Sequence, residues 1–310
     1  MRFEQADAQV ADLDPADQPA AVRASLAAHL GPDGITYDSA MWLVSARPAD
    51  TPRTRRHRGE GRLRRPPARR VRRRPADVAR RPADLDGRLR PPSAADPALA
   101  WLDLGSGTGR MTPALASAFG GPVHGVEPSD RMRAQALAHA ADPAVTYAAG
   151  SAERIPLPDA SCDAALLFFV WHHVVGRAAA ARELRRVVRP GGTLFVQANF
   201  ADRMPDVWWF RVVPEWEAAD AAQFRSEHEV KSDFTAAGWT LVAHEEVTWV
   251  RSASLAEDVE RLRLRSVSAF EHMSEEVVDA GFARIEAALP SLDDGPQHET
   301  SQLLVLRPAG

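Results

Sequence analysis

Leu99-Ala-Trp-Leu-Asp-Leu-Gly-Ser-Gly-Thr-Gly-Arg110 is the stretch that decides the fold. An apolar run ends in Asp103, and three glycines follow at alternate positions, Gly105, Gly107 and Gly109. Directly after them Met111 to Phe119 reads as a helix. An apolar strand that stops at a glycine turn and restarts as a helix is the first half of a βαβ unit. Glycine permits the tight turn and lets a ligand sit against backbone N–H groups with no Cβ in the way. The free N–H groups at the helix start face that ligand.

Working outward, apolar strands at Leu99–Leu104, Val123–Glu127, Val145–Ala149, Asp163–Trp171 and Thr193–Ala198 alternate with helical patterns. The helices are Arg110–Phe119, a segment capped by Ser129 that runs to Ala140, and Arg177–Val188, stopped by Pro190-Gly191-Gly192. Asp163–Trp171 is continuously apolar, as a strand covered on both faces should be. Two further strands, Thr240–Val250 and Gln302–Leu306, are expected to pair with each other at one edge. The pattern predicts an α/β fold: a Rossmann-like, doubly wound, mostly parallel seven-stranded sheet with helices on both faces. Further helices are expected at Ala20–Leu30, Glu229–Ala237, Leu255–Phe270 and Ser274–Ala288.

Three segments differ in character: 1–46, with one helix; 47–95, rich in Arg and Pro; and 96–310, which holds the regular text. No apolar run approaches the ~20 residues that span a bilayer, and the acidic N-terminus lacks a leader's apolar region, so a cytoplasmic location is expected. The single cysteine, Cys162, excludes an internal disulfide and reads as a buried structural thiol. No His/Asp/Glu spacing suggests a metal site.

The net charge of −4 conceals an asymmetry, because Lys231 is the only lysine and arginine supplies the rest of the positive charge. Residues 51–92 read TPRTRRHRGEGRLRRPPARRVRRRPADVARRPADLDGRLRPP, and from Arg47 onward the excess is about a dozen positive charges. The segment has too many prolines for a helix or a central strand. Its composition fits an extended or disordered linker, a nucleic-acid-binding arm, or the arginine- and proline-dense text of a GC-rich gene read out of frame. The absence of an aromatic residue for base stacking argues against the arm.

The glycine loop has no Gly-Lys-Ser/Thr, which removes a phosphate loop. A dinucleotide fold wants G-x-G-x-x-G, whereas the spacing here is G-x-G-x-G. Glu127 stands eighteen residues beyond Gly109, at the tip of the second strand, where a carboxylate can accept both hydroxyl hydrogens of a ribose. The loop therefore reads as holding a nucleoside without a pyrophosphate.

Four stretches, in order, resemble the class I S-adenosylmethionine-dependent methyltransferases, most closely the ubiquinone and menaquinone branch. They are Leu102–Arg110, Val126–Ser129, Gly150–Asp159 continuing through Trp171-His-His-Val174, and Leu184–Leu194. The resemblance implies S-adenosylmethionine as cofactor. It implies that Asp103 and the backbone of Gly105, Ser106, Gly107 and Gly109 hold the amino-acid end, and that Glu127 binds the ribose. Ser151 and Ala152 would edge the adenine beside Phe168 or Phe169. Relatives usually carry an aspartate where Ser151 stands, so a weaker, uncharged hydrogen bond is implied there.

His172 and His173 follow the fourth strand, where substrates sit in open α/β sheets, and are the candidate catalytic residues, one of them as a general base. Trp208, Trp209, Phe210 and Trp216 either wall a substrate pocket or pack beneath a lid. The expected partner is a small-molecule methyl acceptor, with cap elements at about 200–235 and 255–290. Two other classes remain open: a nucleic-acid-associated methyltransferase or binding protein that uses the arginine arm, and an NAD(P)-dependent oxidoreductase on the same fold.

Overall fold

The computed structural model describes residues 98–264, 270 and 273–310. The expected helix Ala20–Leu30 and the Arg/Pro segment lie outside the described residues. The chain then runs β1 (Trp101–Leu104), α1 (Thr112–Phe119), β2 (Val123–Glu127), α2 (Asp130–His139), β3 (Val145–Ala149) and β4 (Cys162–Phe168). It continues with α3 (Arg177–Val187), β5 (Val188–Ala198), α4 (Trp208–Val212), α5 (Pro214–Ala221) and α6 (Glu227–Ala236). The last elements are β6 (Trp239–Ser252), α7 (Leu255–Arg263), α8 (Glu275–Ala288) and β7 (Gln297–Pro308).

The seven strands form one sheet in the order β3-β2-β1-β4-β5-β7-β6. The first five pair in parallel, and β7 runs antiparallel between β5 and β6. Each strand sends alternate residues to opposite faces, so Leu102 and Leu104 join one apolar layer with Leu167, Val196 and Phe234. Trp101 and Leu166 join the other, with Leu115 and Phe195. The central strands β1, β4 and the second half of β5 are buried on both faces, as continuous apolar strands require, while edge strand β3 is partly exposed.

Several boundaries depart from the sequence expectation, each for a tertiary reason. β4 ends at Phe168, because Phe169 adopts φ 54° and donates its N–H to the Gln197 carbonyl. Trp171 therefore lies in a 3-10 turn, Trp171–His173, and not in the strand. β5 begins at Val188 and runs through Pro190-Gly191-Gly192, because Cys162 pairs with Val188 ahead of an irregularity in the ladder. β6 and β7 extend each other into a long antiparallel ladder, with strands of 14 and 12 residues. The helix expected over Leu255–Phe270 ends at Arg263. Met204–Trp216 forms two short helices, with Pro214 in the first turn of α5, where a missing N–H costs nothing.

Trp208, Trp209, Phe210 and Trp216 are buried in a third apolar cluster with Leu262 and Ile285. That resolves their two readings in favour of packing. The cluster encloses a buried carboxylate. Asp258 of α7, 0% exposed, accepts from Trp208 Nε1 at 2.8 Å and from Arg251 Nε at 2.9 Å. Arg251 also donates to Glu299 of β7 at 2.8 Å and lies 4.5 Å from the Trp209 ring centre. Cys162 is fully buried at the start of β4, and burial pushes its thiol pKa up. Among the described residues, no helix is long and apolar enough to cross a membrane.

Candidate cofactor and acceptor site

The carboxyl ends of β1, β2, β3 and β4 lie side by side, with Leu104 level with Val126 and Leu167, and Glu127 level with Ala149. That register brings the glycine loop, Glu127, Ser151 and Phe168 to one edge of the sheet. The crevice outside the carboxyl ends, where strand order reverses, is where open α/β sheets bind ligands.

Gly105, Gly107 and Gly109 all have left-handed backbones, with φ of 73°, 56° and 85°. Their roles divide according to what a side chain would meet. A Cβ at Gly105 would lie 2.6 Å from Val170 Cγ2, and one at Gly109 would lie 2.7 Å from Ala140 Cβ. Those two glycines serve close packing. A Cβ at Gly107 would meet no protein atom within 4 Å. The space over Gly107 is an open cradle.

Glu127 shapes that cradle. Its side chain is nearly buried and accepts from Gly107 N at 3.1 Å and Ser129 N at 2.9 Å. One carboxylate thus ties the loop to the N-cap of α2, where Ser129 Oγ accepts from Met132 N. Ser106 Oγ is buried with no hydrogen-bond partner, facing Gly125 of β2 beneath the loop.

Asp103 ends β1, 1% exposed, and accepts from the Thr112 hydroxyl at 2.7 Å. Burial lifts its pKa from 3.8 to about 6; the Thr112 hydrogen bond opposes the shift and the Glu127 charge adds to it. A buried carboxyl with one neutral partner is suited to meeting a cation.

The loop after β3 is held from beneath. Ser151 bridges to Arg154, and Glu153 accepts from Gly176 N at 2.9 Å. Arg186 of α3 donates to the carbonyls of Ile155 at 2.9 Å and Leu157 at 2.8 Å, while Glu183 accepts from Ile155 N at 3.0 Å. Ala152 packs against the core at the rim of this loop. Phe168 stands at the end of β4 with Phe169 edge-on at 4.9 Å and the Arg110 guanidinium 5.7 Å from its ring centre.

His172 and His173 follow in the 3-10 turn, their rings 3.8 Å apart. Their environments differ. His173 is exposed, whereas His172 packs 4.7 Å from the Phe224 ring. Burial, and then the charges of His173 and Arg177, push the His172 pKa down to about 3.

Thr112, Val170, Glu153, Glu183 and Arg186 support the site without having been singled out in the sequence. Arg186 lies inside the Leu184–Leu194 stretch, so its position was visible, though its clamp on the preceding loop was not.

Comparison with known proteins gives a family match and a likeness of fold. Residues 102–196 match the methyltransferase domain family. An uncharacterized methyltransferase of Mycobacterium tuberculosis is 37% identical over 164 residues, covering 51% of this chain and 63% of that protein. A ubiquinone/menaquinone biosynthesis C-methyltransferase of Caulobacter vibrioides is 32% identical over 139 residues, covering 38% of this chain and 55% of that protein. The chain thus spans about three fifths of the length of these relatives. Among solved structures, a methyltransferase from an antibiotic biosynthesis pathway of Anabaena variabilis superposes with a TM-score of 0.52 at 22% identity, covering 67% of this chain and 90% of that one. That likeness shows the fold. All four stretches that resemble class I enzymes fall within residues 102–196, the part of the chain that matches the methyltransferase domain family.

Proposed function

We propose that the protein transfers a methyl group from S-adenosylmethionine to a small-molecule acceptor by in-line displacement. The observation that carries this reading is the Gly107 cradle, open to a ligand and braced by a nearly buried carboxylate.

In this reading Asp103 holds the cofactor's ammonium, and the backbone of Gly105, Ser106, Gly107 and Gly109 passes beneath its amino-acid portion. Glu127 has lone pairs beyond those used by Gly107 and Ser129 and accepts the ribose hydroxyls. Ser151 and Ala152 edge the adenine, with Phe168 against its face. When bound there, S-adenosylmethionine would supply a methyl group already activated by a sulfonium. The protein's own task is alignment and exclusion of water. Phe168, Phe169 and Trp249, in edge-on contact along the mouth, supply apolar walls for that purpose. Of the two histidines, His172 stays neutral at physiological pH and is a weak base. The exposed His173 is the one of the pair that takes a proton from an acceptor needing to lose it.

Calorimetric titration with S-adenosylmethionine, alongside a nicotinamide dinucleotide, tests the assignment. Heat from the first and none from the second is the expected result, and the reverse would replace methyl transfer with redox chemistry. Glu127→Gln is expected to weaken S-adenosylmethionine binding roughly 10–100-fold, since hydrogen bonds to a charged group contribute about 1.5–3 kcal/mol. Unchanged affinity would remove Glu127 from the ribose.

Asp103 gives the binding a pH dependence. Its ionised form meets the ammonium, so affinity should rise as pH rises through about 6 and level off above it. In Asp103→Asn that rise should vanish. The same group acts in the opposite sense on folding. Its native pKa lies above the unfolded 3.8, so the native state holds the proton more tightly. Its contribution is complete in acid and declines as pH rises from 3.8 to about 6.

A further inference from the structure

A small cavity lies between the ends of β4 and β5 and the start of α6. It is lined by Trp171, His172, Ala198, Asn199, Arg225 and Val230, and has a volume of about 10 Å³. Two of its polar atoms are buried with no hydrogen-bond partner: Asn199 Oδ1, on a side chain 9% exposed, and His172 Nδ1. A third, Arg225 Nε, lies 3.4 Å from Asp233 Oδ2 without bonding geometry. Trp171 is held in place by its own bond to Asp233 at 3.2 Å and by the Phe234 ring at 4.3 Å. Groups of this kind carry a desolvation penalty until something bonds to them.

We propose that this cavity is a subsite for a hydroxyl group of the methyl acceptor, one that anchors the acceptor and is not itself methylated. The inference rests on the methyl-transfer reading, which puts the acceptor at the carboxyl ends of β4 and β5. Size and hydrogen-bond arithmetic select the group. The volume admits about one oxygen-sized group, which excludes phosphate and a whole carboxylate. A carboxylate oxygen also has no hydrogen for Asn199 Oδ1. An ammonium has no lone pair with which to accept from His172 Nδ1–H or Arg225 Nε–H. A hydroxyl donates to Asn199 Oδ1 while accepting from His172 Nδ1–H or Arg225 Nε–H, so one group satisfies both sides. It is held and not activated, because neither the amide nor the guanidinium is a base and the buried imidazole is too weak a base to take its proton. Asn199 is then a specificity-determining residue, selecting acceptors that carry a hydroxyl apart from their nucleophile.

The test uses the full chain and three matched probes: phenol, anisole and toluene. Ring resonances of His172 report occupancy by NMR, with no turnover required. Phenol should shift them, while anisole and toluene at the same concentration should not. Asn199→Leu should weaken phenol binding by at least about tenfold. Equal responses to phenol and anisole in the unaltered protein would overturn the proposal without any variant, which covers the case in which Asn199→Leu fails to fold. So would a crystal structure at saturating phenol with only a water in the cavity. S-adenosylmethionine calorimetry on the same sample separates the two readings. Failure there with phenol discrimination intact would sink methyl transfer, and normal cofactor binding without discrimination would sink the subsite alone.

Discussion

Gly107→Leu is expected to lower S-adenosylmethionine affinity a thousandfold or more, about 4 kcal/mol, while leaving the protein folded. Both halves follow from local geometry. A Cβ at this position meets no protein atom within 4 Å, so the added side chain displaces nothing in the protein. The left-handed φ of 56° imposes a strain of about 1–2 kcal/mol on a residue with a Cβ, felt as a modest drop in melting temperature. The leucine then occupies the cradle itself. Gly105→Ala and Gly109→Ala supply the contrast. Their new Cβ atoms would press on Val170, and on Ala140 and Tyr147, so the loss should fall mainly on stability. Calorimetry paired with thermal unfolding checks all three variants. Cofactor binding by Gly107→Leu within threefold of the unaltered protein would show that the cradle holds something else.

Asp258→Ala is expected to destabilise the fold by about 3–5 kcal/mol, the range for removing one partner of a buried ion pair. Asp258 is fully buried, accepts from Trp208 Nε1 and is one of two carboxylates on Arg251. Burial opposes the Arg251 charge, and the nearby Glu299 and Asp258 more than compensate, so its pKa stands above the ordinary value. Without Asp258, an indole N–H and half a guanidinium lose their acceptors inside an apolar cluster. The connection between α4, α7 and the β6–β7 ladder goes with them. Urea unfolding measures the effect through the midpoint at unchanged slope. A loss under about 1 kcal/mol would mean that the cluster stands on its apolar contacts alone.

What could be read from the sequence, and what could not, divides by the range of the interactions. β2 and β3 lie over the expected residues, and Ser129 caps α2 as expected, because glycine, proline and serine signals act within a few residues. The end of β4 was not legible. Continuous apolarity through Trp171 conceals a left-handed residue at Phe169, which depends on the Gln197 carbonyl one strand away. Nor was the early start of β5, where Pro190-Gly191-Gly192 signals a stop locally and Cys162 supplies a partner across the sheet. In the candidate site, the glycine turn was legible because a left-handed backbone favours glycine at each of those positions, and Glu127 stood out by its place at the tip of β2, whereas Asp103 was singled out only through the family resemblance. Thr112 and the Glu183–Arg186 clamp were not legible. Each works through a contact across the fold, Arg186 reaching back 29 residues to Leu157.

Phe169 also sets stability and function against each other. Holding an aromatic residue at φ 54° costs of order 1–3 kcal/mol, and glycine would relieve most of it. The same backbone turn presents the Phe169 ring to Phe168 and Trp249 and shortens β4 at the mouth. Selection for thermal stability alone would therefore drift away from phenylalanine here, and selection for a walled mouth would keep it. A stability-directed library of this protein should enrich glycine at position 169 and lose its apolar wall in doing so.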